Sequence, residues 1–150
     1  MNDIKGRIVV GVDGSDASID AVQWAYRQAQ LTYSELEAVA CWHVPNQYAE
    51  LVAEEIDWAA RANSFLDEAL ATVEGEGEVH VTRTMMEGHP ARVLTEMSAN
   101  ADLLVVGSRG HGGFAGMLLG SVSGHVSAHA HCPVVVVRHH AEPSGRPSTA

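Results

Sequence analysis

Residues Gly107 to Ser123, GSRGHGGFAGMLLGSVS, hold six glycines in their first fourteen positions, directly after the apolar run DLLVV. Glycine lets backbone amides approach a ligand closely, and it loses more entropy on folding than any other residue, so this loop is expected to serve a function. Two phosphate-binding patterns can be tested against it. A P-loop requires Gly-x4-Gly-Lys-Ser/Thr, with the lysine on the outer phosphates. The only lysine in the chain is Lys5, so that pattern fails. Gly110, Gly112 and Ala115 match the Gly-x-Gly-x-x-Ala dinucleotide spacing, but no acidic residue lies between Gly107 and Glu142. The helix also starts too late, so this match lacks its context.

Other residues invite metal or nucleophile chemistry. His125 and His129 are spaced i, i+4, close to His131 and Cys132. A zinc centre would need third and fourth ligands, and no His-Glu-x-x-His pattern accompanies them, so solvated or packed helix histidines are the expected reading. Cys41 and Cys132 form no Cys-x-x-Cys pair and read as buried, reduced thiols. For hydrolysis, Ser108, Ser121 and Ser123 lie near the loop, and His111 could act as a base. Nothing resembles a water-positioning glutamine or an acidic general base, so slow turnover at best is expected.

Charge narrows the ligand classes. The chain of 150 residues has a formal net charge of -10 and only nine Lys plus Arg. Nucleic acid and anionic membrane both demand a basic surface and are excluded as main partners. A phosphate ligand would have to be held by backbone amides, a helix N-terminus and a metal counter-ion. Arg109 and His111 are the candidate charged helpers. No apolar stretch is long enough to span a membrane and no signal peptide is recognisable, which predicts a cytoplasmic location.

The elements that must position these residues alternate between short β-rich runs and helical patterns. RIVVGVD (Arg7 to Asp13) reads as a buried parallel strand. Ser15 is expected to cap a helix with Asp16 and Asp20 near its start and Ala17, Ala21, Val22, Ala25 and Ala29 facing inward. Leu36 to Val44 reads as the second strand and Tyr48 to Val73 as a long helix, with Val52, Ile56, Ala59, Leu66, Ala69, Leu70 and Val73 at helical spacing. Val79 to Met86 alternates like a half-exposed strand, and Pro90 suits a first helical turn. Asp102 to Gly107, a helix over Ser121 to His131, and a last strand at Val134 to Val137 complete five strands and four helices. The pattern predicts one domain built on a parallel α/β sheet, with a tail from about His139 that packs against nothing. Ligands in such sheets sit at the carboxyl ends of strands where the strand order reverses. If strands one and four are neighbours, Gly11 to Ser15 and the glycine loop face one crevice.

The spacing Gly107-x2-Gly110-x9-Gly120-Ser121 is similar to the nucleotide-binding signature of the universal stress protein family, in its ATP-binding branch. The resemblance runs through VVGVDGS, HV at the end of the second strand, EGHPARVL, ADLLVVGSRGHGG, LLGSVS and CPVVVV, leaving out only the tail 139–150. It implies an open five-stranded sheet of order 3-2-1-4-5 with helices on both faces. It also implies a site. Gly11, Val12, Asp13 and Val44 would hold adenine and ribose. Val106, Gly107, Arg109 and Gly110 would line the ribose and phosphate side, and Gly120, Ser121, Val122 and Ser123 would grip the phosphates. The implied ligand is ATP with Mg2+, the implied role a nucleotide-dependent stress-response regulator, and the implied assembly a homodimer through Val134 to Val137. A slow ATPase or phosphotransferase, or a dimeric module binding AMP or cyclic AMP, are the alternatives.

Overall fold

The computed structural model describes residues 5–43, 57–75, 77–109 and 119–139. Its elements follow the order β1 (Arg7–Val12), α1 (Asp16–Thr32), β2 (Glu35–Trp42), α2 (Trp58–Ala71), β3 (Val81–Glu87), α3 (Pro90–Ser98), β4 (Leu103–Gly107), α4 (Ser121–His129) and β5 (Val134–Val137). All strand pairs are parallel, in the order β3-β2-β1-β4-β5. The order reverses at β1, which lies between β2 and β4, so the two loops singled out from sequence leave neighbouring strands.

Strand β1 carries the core because its side chains alternate between two filled faces. Ile8, Val10 and Val12 pack with α1 and α2 residues such as Val22 and Leu66. Val9 packs on the other face with Val39, Leu94, Val106 and Val126. An apolar strand buried on both sides is what a central parallel position requires.

Helix α1 begins as expected. The Ser15 side chain accepts from the Ser18 amide, and Ala17, Ala21, Val22, Ala25 and Ala29 are all buried. Pro90 is the first residue of α3. Helix α2 is described from Trp58, behind the N-cap Asp57, whose carboxylate accepts from the Ala60 amide at 2.9 Å. The expected earlier part of that helix, with Val52 and Ile56, lies outside the described residues.

Several boundaries differ from the sequence reading. Helix α4 ends at His129 rather than His131, because Ala130 is extended and the His131 amide donates to the buried Ser98 Oγ at 2.8 Å. Strand β3 is more exposed than an alternating half-buried strand, with Met85 38% and Met86 40% exposed. The cause is its place at a sheet edge. Glu37 is buried in β2, where it accepts from Arg7 and from Thr84 Oγ1, so a charge sits within an otherwise apolar strand. His139, at the expected start of the tail, contacts α1 through Nδ1 and Asp20 Oδ2 at 2.6 Å. Residues 140–150 lie outside the described residues.

Helix α1 approaches β4 so closely that Gly107 has no room for a side chain. A Cβ there would lie 2.8 Å from the Ala17 carbonyl carbon and 2.9 Å from Ala17 Cβ. Backbone cannot swing aside as a flexible side chain can. Gly107→Ala is therefore expected to lower the unfolding free energy by about 1–3 kcal/mol. Urea denaturation checks this, and an unchanged midpoint would show that the helix shifts without cost.

Candidate nucleotide site

The loop after β1 is built by its own side chains. Gly14 adopts φ 85, which closes the turn. Asp13 Oδ1 accepts from the Ser15 amide at 2.9 Å and from Ser15 Oγ at 2.5 Å. Asp13 is thus a turn-forming residue that also lines the cavity between the two loops. The Asp13 amide donates to Ser18 Oγ at 3.3 Å, tying the loop to the first turn of α1.

The loop after β4 is pinned at both ends to one carbonyl. Ser108 donates its amide to the Val137 carbonyl at 2.7 Å. The Ser108 carbonyl accepts from the Gly120 amide at 2.7 Å and from Ser123 Oγ at 2.7 Å. The Gly120 amide also donates to Ser123 Oγ at 2.9 Å. The chain therefore leaves β4 and returns to α4 at the same point. The buried Ser123 hydroxyl donates to the Ser108 carbonyl, so its side chain serves this junction. The first ladder bond of α4 runs from Gly124 to Gly120 at 2.9 Å, so the amides of Ser121, Val122 and Ser123 have no acceptor within the helix.

Between these loops lies a cavity of about 460 Å³, counting its open mouth. Gly11, Val12, Asp13, Val106, Gly107, Arg109, Val122 and Ser123 all line it, as the sequence reading grouped them. Gly120 and Ser121 do not line it; they sit beside it, Gly120 buried as the N-cap of α4 and Ser121 exposed as its first residue. Val44 and Gly110 lie outside the described residues, as does His111.

One wall went unread. Ser18, Val39, Cys41, Pro90 and Leu94 also line the cavity, beside Ser15 of the loop after β1. Strand parity held the signal for two of them, because Val39 is the register partner of Gly11 and Cys41 is the next residue on that face. Leu94 lies one turn after Pro90, and it fills the space above Gly11, where a Cβ would meet its Cδ1 at 2.8 Å. Gly11 and Gly107 are therefore bare for packing reasons.

Both cysteines are free and half-buried rather than fully buried. Burial pushes the Cys41 thiol up to about 11, against the lowering effect of the Arg92 guanidinium. Cys132 is raised by burial and the Asp102 carboxylate, opposed by a backbone hydrogen bond from Leu104. Among the described residues, no group of three or more His, Cys, Asp or Glu could hold a metal ion, and no helix is long and apolar enough to cross a membrane.

A parallel sheet of this order, with a crevice at its switch point and a helix N-terminus beside it, defines a nucleotide-binding α/β fold. Residues 6–138 match the Universal stress protein family, and the chain belongs to it. It is 41% identical over 138 residues to Universal stress protein Rv2623 of Mycobacterium tuberculosis, covering 87% of this chain and 44% of that protein. The chain thus spans less than half the length of this curated relative. Among solved structures, a universal stress protein in complex with cAMP is 29% identical, with a TM-score of 0.69, covering 89% of this chain and 97% of that one. A family member from Arabidopsis thaliana with AMP bound shares the fold at 20% identity and a TM-score of 0.68, covering 93% and 97%.

A thiol titrating near 11 is about two orders of magnitude less ionised at pH 8 than an ordinary cysteine. In a Cys132→Ser background, iodoacetamide should label Cys41 correspondingly slowly at pH 8, and faster as pH rises toward 11. Mass spectrometry follows the rate. Labelling as fast as that of free cysteine would show that the thiol is not held in a desolvated wall.

Proposed function

We propose that this universal stress protein domain binds ATP together with Mg2+, hydrolyses it slowly or not at all, and acts as a nucleotide-dependent regulator. The observation that carries the reading is the convergence of the loops after β1 and β4 on one cavity, with the start of α4 beside it. The apolar walls, Val39, Leu94 and Val106, suit a base. Asp13 suits ribose hydroxyls or a water on Mg2+. The α4 amides of Ser121 to Ser123, together with Arg109, suit phosphates. A bound Mg2+ would neutralise phosphate charge that this acidic chain cannot.

Weak hydrolysis follows from the lining. Among its described residues Asp13 is the only carboxylate, and one of its oxygens already serves the β1 turn. Cys41 stays protonated at neutral pH. No described lining group is left to activate water against a γ-phosphate. The domain would then respond to nucleotide by binding: ATP would draw the glycine loop and α4 into one arrangement and present a surface to a partner.

Calorimetry with ATP, AMP and cAMP, each with and without Mg2+, tests this reading. ATP with Mg2+ is expected to bind tightest, and acid extraction of the purified protein should release intact ATP. Gly120→Glu, which adds bulk and negative charge at the start of α4, should weaken ATP at least about a hundredfold while leaving the fold intact. Unchanged affinity in that variant would remove the α4 grip. Preferred binding of AMP or cAMP would replace ATP as the ligand, and multiple-turnover phosphate release would make the protein an enzyme.

The same proposal includes a homodimer through β5. The Pro133 and Val137 carbonyls accept from the amides of Leu104 in β4 and Ser108 just after it, so in a parallel ladder Val134 and Val136 point their peptide groups outward. An open edge of this kind pairs readily with a second copy. Val136→Pro removes an outward N–H without touching the β4 ladder. It should turn a dimer into a monomer by light scattering, with less than about 1 kcal/mol lost in monomer stability. A wild-type protein that is monomeric throughout would end this part of the reading.

A further inference from the structure

Helix α4 is weak by composition. Its nine residues include three serines, two valines and Gly124, none a strong helix former. Packing does not require that glycine, since a Cβ at Gly124 would meet nothing within 4 Å. Only Ser123 and Val126 are buried along the helix. Its order rests on the junction at Ser108 and on the packing of Val122 and Val126 against the core, while its other face is exposed.

That face carries His125 and His129, one turn apart. Both are exposed, with ring centroids 4.6 Å apart and planes inclined at 39°. Neither ring is hydrogen-bonded to a described residue. Two imidazoles at i, i+4 are the helical pair that zinc sites use, and imidazole suits Zn2+, Cu2+ and Ni2+. Exposed side chains can turn until one nitrogen of each lies about 2.0–2.1 Å from a common ion. His129 also stands in the last turn of α4, where the helix dipole favours positive charge.

We propose that His125 and His129 form a surface chelate for an imidazole-preferring divalent ion, Ni2+, Cu2+ or Zn2+, and that the ion clamps one turn of α4. No third protein ligand joins them among the described residues, so water completes the coordination and the ion exchanges readily. Mg2+ prefers oxygen ligands and is not taken there, which separates this site from any metal on a nucleotide. Holding residues i and i+4 together stabilises the helical state of a segment that composition leaves weak. The proposal does not depend on the nucleotide reading. Among the described residues, a second close histidine pair, His43 and His89, is a poorer chelate. Its rings are 5.8 Å apart, and His89 Nδ1 is engaged as acceptor from the Ala91 amide at 3.2 Å.

Titration of the untagged, nucleotide-free chain with Ni2+ tests the proposal, by calorimetry and by thermal unfolding. One equivalent should bind and raise the melting temperature, whereas Mg2+ should do neither. His125→Gln and His129→Gln should each weaken Ni2+ binding by about tenfold or more and abolish the thermal shift. His43→Gln should change nothing. Glutamine is a better helix former than histidine, so these variants keep α4 folded, which circular dichroism checks. The proposal is overturned if the wild type does not bind Ni2+. It is also overturned if either α4 variant titrates like the wild type, or if His43→Gln is the variant that loses the ion.

Discussion

Strand β4 lies parallel against β1, with Ile8 opposite Leu103 and Val10 opposite Val105, and this pairing places the crevice. With β2 on the other side of β1, successive crossovers diverge to opposite faces, and the loops that end β1 and β4 face each other across an opening. Two contacts hold that opening in shape. Gly107 lets α1 rest on the end of β4, and the Ser108 carbonyl gathers the Gly120 amide and the Ser123 hydroxyl at the start of α4. A β4 placed elsewhere in the sheet would leave the same glycines and serines scattered.

The site is economical with charge. Helices α1 and α4 both begin at or beside the cavity, at Ser15 and Gly120, so two positive helix ends face a region that holds few cations. In a chain with net charge -10, backbone dipoles supply what side chains do not. The same groups that line the cavity also hold the fold. Asp13 spends one oxygen on the β1 turn, and Ser123 turns its hydroxyl inward, leaving its amide outward.

Helix α4 is where these demands compete. Its first turn leaves the Ser121 to Ser123 amides without helical acceptors, and its N-cap Gly120 offers no side-chain cap. Its middle holds Gly124, and only one apolar residue, Val126, is fully buried. A helix of this kind is held by its ends and by its neighbours more than by its own propensity.

Much of the molecule was legible before any coordinates. The inner face of α1, its Ser15 cap, the start of α3 at Pro90 and the bounds of β5 follow from periodicity and capping, which act within one or two turns of chain. Eight of the described residues that the universal stress protein motifs grouped line one cavity. What the sequence left open depends on register between segments far apart. The wall formed by Cys41 and Leu94, the buried Glu37, the exposure of β3 and the inward turn of Ser123 each needed the position of a distant strand. Alternation along a strand tells which residues share a face. Only the packed sheet decides which face meets the cavity and which edge meets water.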